Sequence, residues 1–189
     1  MLYQEQAAQV REFDEQIKAL REKQRTLRIE AEPELVKDYR FSTPAGAVTL
    51  GELFGDKQYL FVIHNMGAGC SYCTLWADGF NGVLPHLENR AAFVLTSPDD
   101  PAAQQKFKES RGWKFSMVSH KGTSFAADMG YARQGGGWMP GVSVFKKEGG
   151  RVLRVSDTSF GPHDDFCSVW HFLDLLPEGP DGWGPKFKY

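Results

Sequence analysis

The sequence predicts a mixed α/β fold: a central sheet flanked by helices, preceded by a long helical arm. Three observations lead there. Apolar strand-like runs, Leu60-Phe61-Val62-Ile63 and Ala91-Ala92-Phe93-Val94-Leu95-Thr96, alternate with helical stretches. Two β-rich runs, Val142-Ser143-Val144-Phe145 and Val152-Leu153-Arg154-Val155, flank Lys147-Glu148-Gly149-Gly150, a hairpin signal. The first thirty or so residues carry an apolar stripe at a spacing near 3.5 residues, with no Gly or Pro before Pro33.

The elements follow in order. Residues 2–29 read as one amphipathic helix, with Tyr3, Val10 and Ile17 on one seam and Phe13, Leu20 and Leu27 on the other. It either packs on its own domain or makes a homodimer. Residues 30–38 form an acidic linker broken by Pro33. Residues 39–42 are a short strand ahead of the turn Thr43-Pro44-Ala45-Gly46. Val48, Leu50 and Leu53 supply apolar contacts before the buried strand 60–64. Residues 74–89 look helical, with Gly79, Gly82 and Pro85 expected to bend or interrupt the helix. Strand 91–96 leads through Ser97-Pro98-Asp99-Asp100-Pro101, rich in capping residues, into helix 102–111. A strand at 115–118, a helical turn within 122–131 and the glycine loop 135–137 come before the hairpin. A last helix covers 164–176, with Phe166, Val169, Trp170 and Leu173 on one face. The domain organisation read from this is an arm (1–30), an α/β domain (31–177) and an irregular tail (178–189), which has three glycines and two prolines.

Composition narrows the function classes. With 41% hydrophobic and 13% aromatic residues, the 189-residue chain has material for a sizeable core. A net charge of -2 gives no electrostatic case for binding nucleic acid or an acidic membrane. No apolar run approaches the ~20 residues of a membrane span. Met1-Leu2-Tyr3-Gln4-Glu5-Gln6 lacks a basic n-region and an apolar h-region, so a cytoplasmic location is expected. Three cysteines do not make a disulfide framework, and in a reducing compartment a close pair is catalytic or metal-binding.

That pair is Cys70-Ser71-Tyr72-Cys73, between an apolar strand and a helix. A cysteine at a helix start faces unpaired backbone N–H groups and the positive helix end, which favour its thiolate. Cys70 is therefore the candidate nucleophile and Cys73, one turn on, the resolving thiol. A spacing of three puts both sulfurs on one face. Structural zinc wants four ligands, and only Cys167 remains, so no metal or other cofactor is assigned. His64, six residues before Cys70, is either a satisfied core histidine or a proton relay. Trp76 reads as a core or rim aromatic and Asp78 as a solvent-facing or capping group. His163, Cys167 and His171 recur every four residues, but each step of four drifts ~40° around a helix, so they do not converge as metal ligands.

Strand, Cys-x-x-Cys and helix in this order resemble thioredoxin-like proteins. The segment Met139-Pro140-Gly141-Val142-Ser143-Val144-Phe145 resembles their strand that opens with a cis-proline. The resemblance implies a cis bond at Met139–Pro140 and a substrate-facing surface of Met139, Pro140, Ser71 and Tyr72. The linker Ser71-Tyr72 departs from the thioredoxin glycine-proline and is closer to glutaredoxins, which leaves the redox direction open. Asp38-Tyr39-Arg40-Phe41, Leu50-Gly51-Glu52-Leu53-Phe54, the stretch from Cys70 to Gly82, and Pro140–Phe145 are similar to a bacterial domain-of-unknown-function family of predicted dithiol–disulfide oxidoreductases.

The expected function is a thiol–disulfide oxidoreductase that acts on a protein or small-molecule disulfide and exchanges electrons with a further thiol partner. Two alternatives stand beside it. A thiol peroxidase would share the fold, but the Pro-x-x-x-Thr/Ser-x-x-Cys pattern of peroxiredoxins is missing, since Ile63 and Gly67 occupy those places. A copper- or zinc-handling protein would use the cysteine pair with a distant histidine: His64, His120 or His163.

Overall fold

The computed structural model describes residues 2–189 as two units, the first ending at Pro33 and the second running Glu34–Tyr189. The first unit is helix α1, Tyr3–Glu30. It is rich in the straight-chain residues that lose little freedom in a helix. Glu22 and Arg25 pair along its surface at 2.8 Å, and the Glu5 carboxylate accepts the Leu2 N–H at 3.0 Å. None of its residues is buried.

The second unit is built on one eight-stranded sheet. Its strands are β1 (Glu34–Val36), β2 (Arg40–Thr43), β3 (Gly46–Thr49), β4 (Tyr59–His64), β5 (Ala92–Ser97), β6 (Ser116–Ser119), β7 (Gly141–Glu148) and β8 (Arg151–Ser159). The spatial order is β1-β8-β7-β4-β5-β6-β2-β3. The β4-β5-β6 centre is parallel and the remaining pairs are antiparallel. Helices α2 (Ser71–Arg90), α3 (Pro101–Arg111), α4 (Phe125–Asp128) and α5 (Ser168–Leu173) complete it. The expected central mixed sheet flanked by helices is what the chain forms.

Strand alternation divides the core. Leu60 and Val62 of β4 join Phe41, Leu50, Phe54, Phe125 and Phe145 on one face. Ile63 joins Trp76, Phe80, Leu84, Phe93, Phe115 and Trp170 on the other. Each such side chain contributes about 1.5–3 kcal/mol by leaving water.

Several elements differ from expectation. Helix α2 runs unbroken through Gly79, Gly82 and Pro85. Pro85 removes one backbone donor, but the buried face of Trp76, Ala77, Phe80 and Leu84 holds the helix against the sheet. The acidic linker contains β1, which pairs with β8 at Leu35↔Leu153. Helix α5 starts at Ser168 rather than at 164. The Asp164 carboxylate instead accepts the N–H groups of Gly161 (2.9 Å) and Phe166 (2.8 Å), which fixes a turn. The tail is packed in part: Trp183 meets Trp170 edge-on at 5.5 Å, and the Phe187 carbonyl accepts from Arg111 at 2.9 Å.

Candidate active site

The dithiol lies where β4 gives way to α2. Residues 65–70 make the connection, and each turn of it is tied down. The Asn65 N–H donates to the Thr96 carbonyl (2.9 Å), and the Asn65 side-chain oxygen accepts the Gly67 N–H (2.8 Å). Gly67 has φ +107°, a conformation that favours glycine. The Asp99 carboxylate, beyond the end of β5, accepts the Ala68 N–H at 2.9 Å and the Ser97 hydroxyl at 3.1 Å. The loop is thus fastened to the neighbouring parallel strand before it delivers Cys70.

Cys70 is the N-cap of α2, half-buried, in extended conformation. Its sulfur accepts the Cys73 N–H at 3.1 Å, one of the donors a helix start leaves unpaired. Cys73 is buried one turn deeper, and its sulfur accepts the Met66 N–H at 3.4 Å. These contacts split the two thiols. The hydrogen bond from the Cys73 thiol lowers the Cys70 pKa from 9.0 to about 6 against the opposing effect of burial. The N–H groups of Cys73 and Tyr72 and the charge of Arg133 add to the lowering. The same thiol–thiol bond, together with burial, pushes Cys73 far upward. The result is one thiolate near the surface and one protonated thiol behind it.

Arg133 has no spacing relation to the cysteines, and reading the sequence missed it. The short Ala132↔Trp138 bridge closes a loop in which Gly135, Gly136 and Gly137 all have positive φ. That loop brings the Arg133 guanidinium to 4.0 Å from the Met66 sulfur. The only trace in the sequence was a cation beside a glycine run.

The other expected site residues separate. Ser71 is half-buried at the first helical position. The Tyr72 ring turns back toward α5, stacked on Trp170 at 6.0 Å and tilted against Trp76 at 6.4 Å. The Met139 N–H donates to the Tyr131 carbonyl, and the Pro140 carbonyl accepts from Phe160, both at 2.9 Å. The expected cis bond is corrected: among the described residues no peptide is cis, and Met139–Pro140 is trans. Bonds on both sides tie this stretch into an extended path, which the ordinary trans form satisfies.

His64 is buried at the end of β4, on the face opposite Ile63 and the α2 contacts. Its Nε2 pairs with the Ser143 hydroxyl at 2.9 Å, and its ring stacks on Tyr131 at 3.8 Å and Phe125 at 5.3 Å. Burial, helped by the nearby His120 and Arg154, depresses its pKa to about 3. A neutral imidazole so reluctant to accept a proton has the character of a core histidine, not of a base near pH 7.

The remaining candidates serve packing. Trp76 Nε1 donates to Asp164 at 3.3 Å. Asp78 binds Arg111 and accepts Trp113 Nε1 at 2.8 Å, which joins α2 to α3. His163 faces Asp174 at 3.3 Å and His171 faces Asp165 at 3.6 Å, while Cys167 is buried between them with its pKa raised by burial. His120 meets Trp138 edge-on at 4.6 Å. Among the described residues no three His, Cys, Asp or Glu side chains gather to hold a metal ion. Among them, too, no helix is long and apolar enough to cross a membrane.

Comparisons with known proteins place this fold. Peroxiredoxins are among the similar solved structures. A cysteine-to-serine variant of peroxiredoxin Q from Xanthomonas campestris has a TM-score of 0.54 and 19% identity, over 64% of this chain and 80% of that one. Peroxidoxin BcpB from Mycobacterium tuberculosis has a TM-score of 0.56 and 24% identity, over 67% and 84%. Reduced Prx3 from Vibrio vulnificus in complex with hydrogen peroxide has a TM-score of 0.56 and 15% identity, over 71% and 90%. Identities this low speak to the fold, which is thioredoxin-like. No curated protein sequence matches. The model of a bacterial protein family of unknown function, DUF899, matches residues 2–186, nearly the whole chain, and the protein belongs to that family.

Proposed function

We propose that the protein is a thiol–disulfide oxidoreductase with Cys70 as nucleophile and Cys73 as resolving thiol. The observation that carries the reading is the Cys73 N–H bonded to the sulfur of a half-buried Cys70 at the start of α2, with the second thiol buried behind it. The Cys70 thiolate attacks one sulfur of a substrate disulfide. A Cys70–substrate disulfide forms, and the other half of the substrate leaves as a thiolate that takes up a proton. Thiolate and thiol–thiol hydrogen bond are then gone from Cys70, so two of the influences that held the Cys73 proton are relieved, while burial remains. Cys73 gives up its proton to solvent and attacks the Cys70 sulfur as a thiolate. The second substrate half departs as a thiolate that takes up a proton, and a Cys70–Cys73 disulfide remains. Two electrons have passed to the substrate, and an external dithiol restores them.

The experiment is turnover of insulin or a glutathione mixed disulfide. Cys70→Ser is expected to abolish it, and Cys73→Ser to accumulate a mixed disulfide visible by mass. Unchanged turnover by Cys70→Ser overturns the reading.

A second reading, thiol peroxidase, draws support from the structural neighbours, which are peroxiredoxins. Against it, Ile63 and Gly67 stand where peroxiredoxins keep Pro and Thr or Ser. Stopped-flow mixing with hydrogen peroxide separates the two. Fast, saturating oxidation of Cys70 favours the peroxidase, and slow oxidation with fast disulfide exchange favours the oxidoreductase.

A further inference from the structure

Helix α1 runs 28 residues, about 42 Å, with no residue buried. Tyr3, Val10, Phe13, Ile17, Leu20 and Leu27 lie between 44% and 82% exposed, a row of large apolar side chains along one stripe. In heptad terms, Tyr3, Val10, Ile17 and Gln24 fill the a positions, and Gln6, Phe13, Leu20 and Leu27 fill the d positions. The seam is therefore complete over the helix, apolar except for one glutamine near each end.

We propose that α1 docks antiparallel against α1 of a second copy of this chain. The two-fold coiled coil would have the layers Tyr3–Leu27, Gln6–Gln24, Val10–Leu20 and Phe13–Ile17, each residue paired across the two helices. Reversing one helix puts every a position opposite a d position. In this alignment every seam residue has a partner, and the two glutamines meet amide to amide. Sliding by one heptad in either direction leaves seam residues unpaired at the ends. It also sets Gln6 against Ile17, or Gln24 against Phe13, and so buries a polar amide on an apolar side chain. The glutamines thus select the register, as single polar seam residues do.

Charge selects the direction. The first half of α1 carries Glu5, Glu12, Asp14 and Glu15 against Arg11 alone. The second half carries Lys18, Arg21, Lys23, Arg25 and Arg28 against Glu22 and Glu30. A parallel pair lays acidic half on acidic half and basic half on basic half, and brings Lys23 beside Arg28 of the other copy. An antiparallel pair opposes the acidic half of each helix to the basic half of the other and also opposes the helix dipoles. The contact is isologous, so it closes at two copies.

Two measurements test this. Light scattering of the full chain at micromolar concentration is expected to give about twice 21.2 kDa. Ile17→Glu, in the central layer, is expected to return it to the single-chain mass with an unchanged near-ultraviolet circular dichroism spectrum. A single-chain mass for the unaltered protein overturns the proposal, and so does a dimer that survives Ile17→Glu. Direction is read by disulfide trapping in a Cys70→Ser/Cys73→Ser background, itself checked for absence of covalent dimer. Tyr3 and Leu27 lie ~36 Å apart on one helix, so no bond forms within a chain. The double variant Tyr3→Cys/Leu27→Cys is expected to form covalent dimers, and each single variant is not. Covalent dimers from Tyr3→Cys alone, at the yield of the double variant, show a parallel pair and overturn the proposal.

Discussion

The backbone N–H of Cys73 lies 3.1 Å from the sulfur of Cys70, so the nucleophile caps the helix that carries its partner. A negative sulfur there gains from the helix start as well as from the Cys73 thiol. We predict that the rate of Cys70 alkylation by iodoacetamide follows a titration centred near pH 6. Replacing Cys73 with Ala removes the largest cause of the lowering and moves the midpoint upward. An unshifted midpoint in Cys73→Ala would show that the helix start alone sets it.

The same shift couples to folding. Cys70 has its folded pKa depressed from 9.0 to about 6, so the unfolded chain holds this proton to higher pH. The stabilisation it provides is complete above pH ~9, the unfolded value, and fades as pH falls toward 6. Cys73, raised in the fold, acts in the opposite sense, but only above its own unfolded value. Between pH 6 and 8 the reduced protein is expected to gain stability relative to Cys70→Ser, measured by urea unfolding under reducing conditions. A difference between the two proteins that stays constant over that range contradicts the coupling.

Asp99 is expected to be the fastening of the dithiol loop. It accepts the Ala68 N–H at 2.9 Å, and a Cβ built on Gly67 would come within 3.0 Å of its carboxylate. Asp99→Ala leaves a part-buried amide unpaired, a loss of about 1–3 kcal/mol in urea unfolding. Gly67→Ala combines a close contact with φ +107° and is expected to destabilise by at least ~1 kcal/mol. Asp99→Asn, which keeps an acceptor oxygen, should recover most of the Asp99→Ala loss. If it recovers none, the carboxylate acts through its charge and not as an acceptor.

The part of the site that is local in the chain was legible in the sequence. Strand, Cys-x-x-Cys and helix lie within fifteen or so residues, and the spacing of Cys70 and Cys73 on a helix is fixed by its turn. What depended on distant partners was not legible. His64 follows from strand parity, which turns it toward Ser143 and Tyr131, far along the chain. Arg133 arrives through a glycine loop whose path no local rule sets. The proline motif suggested a cis bond, but bonds from Tyr131 and Phe160 hold the trans path. At α2, burial of one face overrode the breaking tendency of Gly79, Gly82 and Pro85.

Gly141 is where two strands and a ring converge. It pairs with His64 on β4 and Ser159 on β8. A Cβ there would overlap the Tyr131 ring and stand 2.6 Å from the Thr158 carbonyl oxygen. The Tyr131 hydroxyl already donates to that carbonyl at 3.0 Å, so the ring cannot yield without losing the bond. Gly141→Ala is expected to cost about 3 kcal/mol, at the upper end for overpacking. Thermal unfolding checks this, and a variant as stable as the parent would show that the ring moves freely.

His64 is expected to weaken the fold in acid. Its folded pKa is depressed from 6.5 to about 3 by burial, and His120 is depressed in the same direction. Unfolding releases both imidazoles to take up protons, so each contributes stability that is complete above pH ~6.5 and lost as pH falls toward the folded value. His64→Gln keeps a neutral polar group facing Ser143 and removes one titration. It is expected to lower stability at pH 7 but to flatten the decline between pH 6.5 and 4, as urea unfolding at a series of pH values would record. The alkylation midpoint of Cys70 should stay near pH 6 in the same variant, because the His64 contacts lead to Ser143, Tyr131 and Phe125 and not to either sulfur. A midpoint that moves with His64→Gln would restore the histidine as a proton relay.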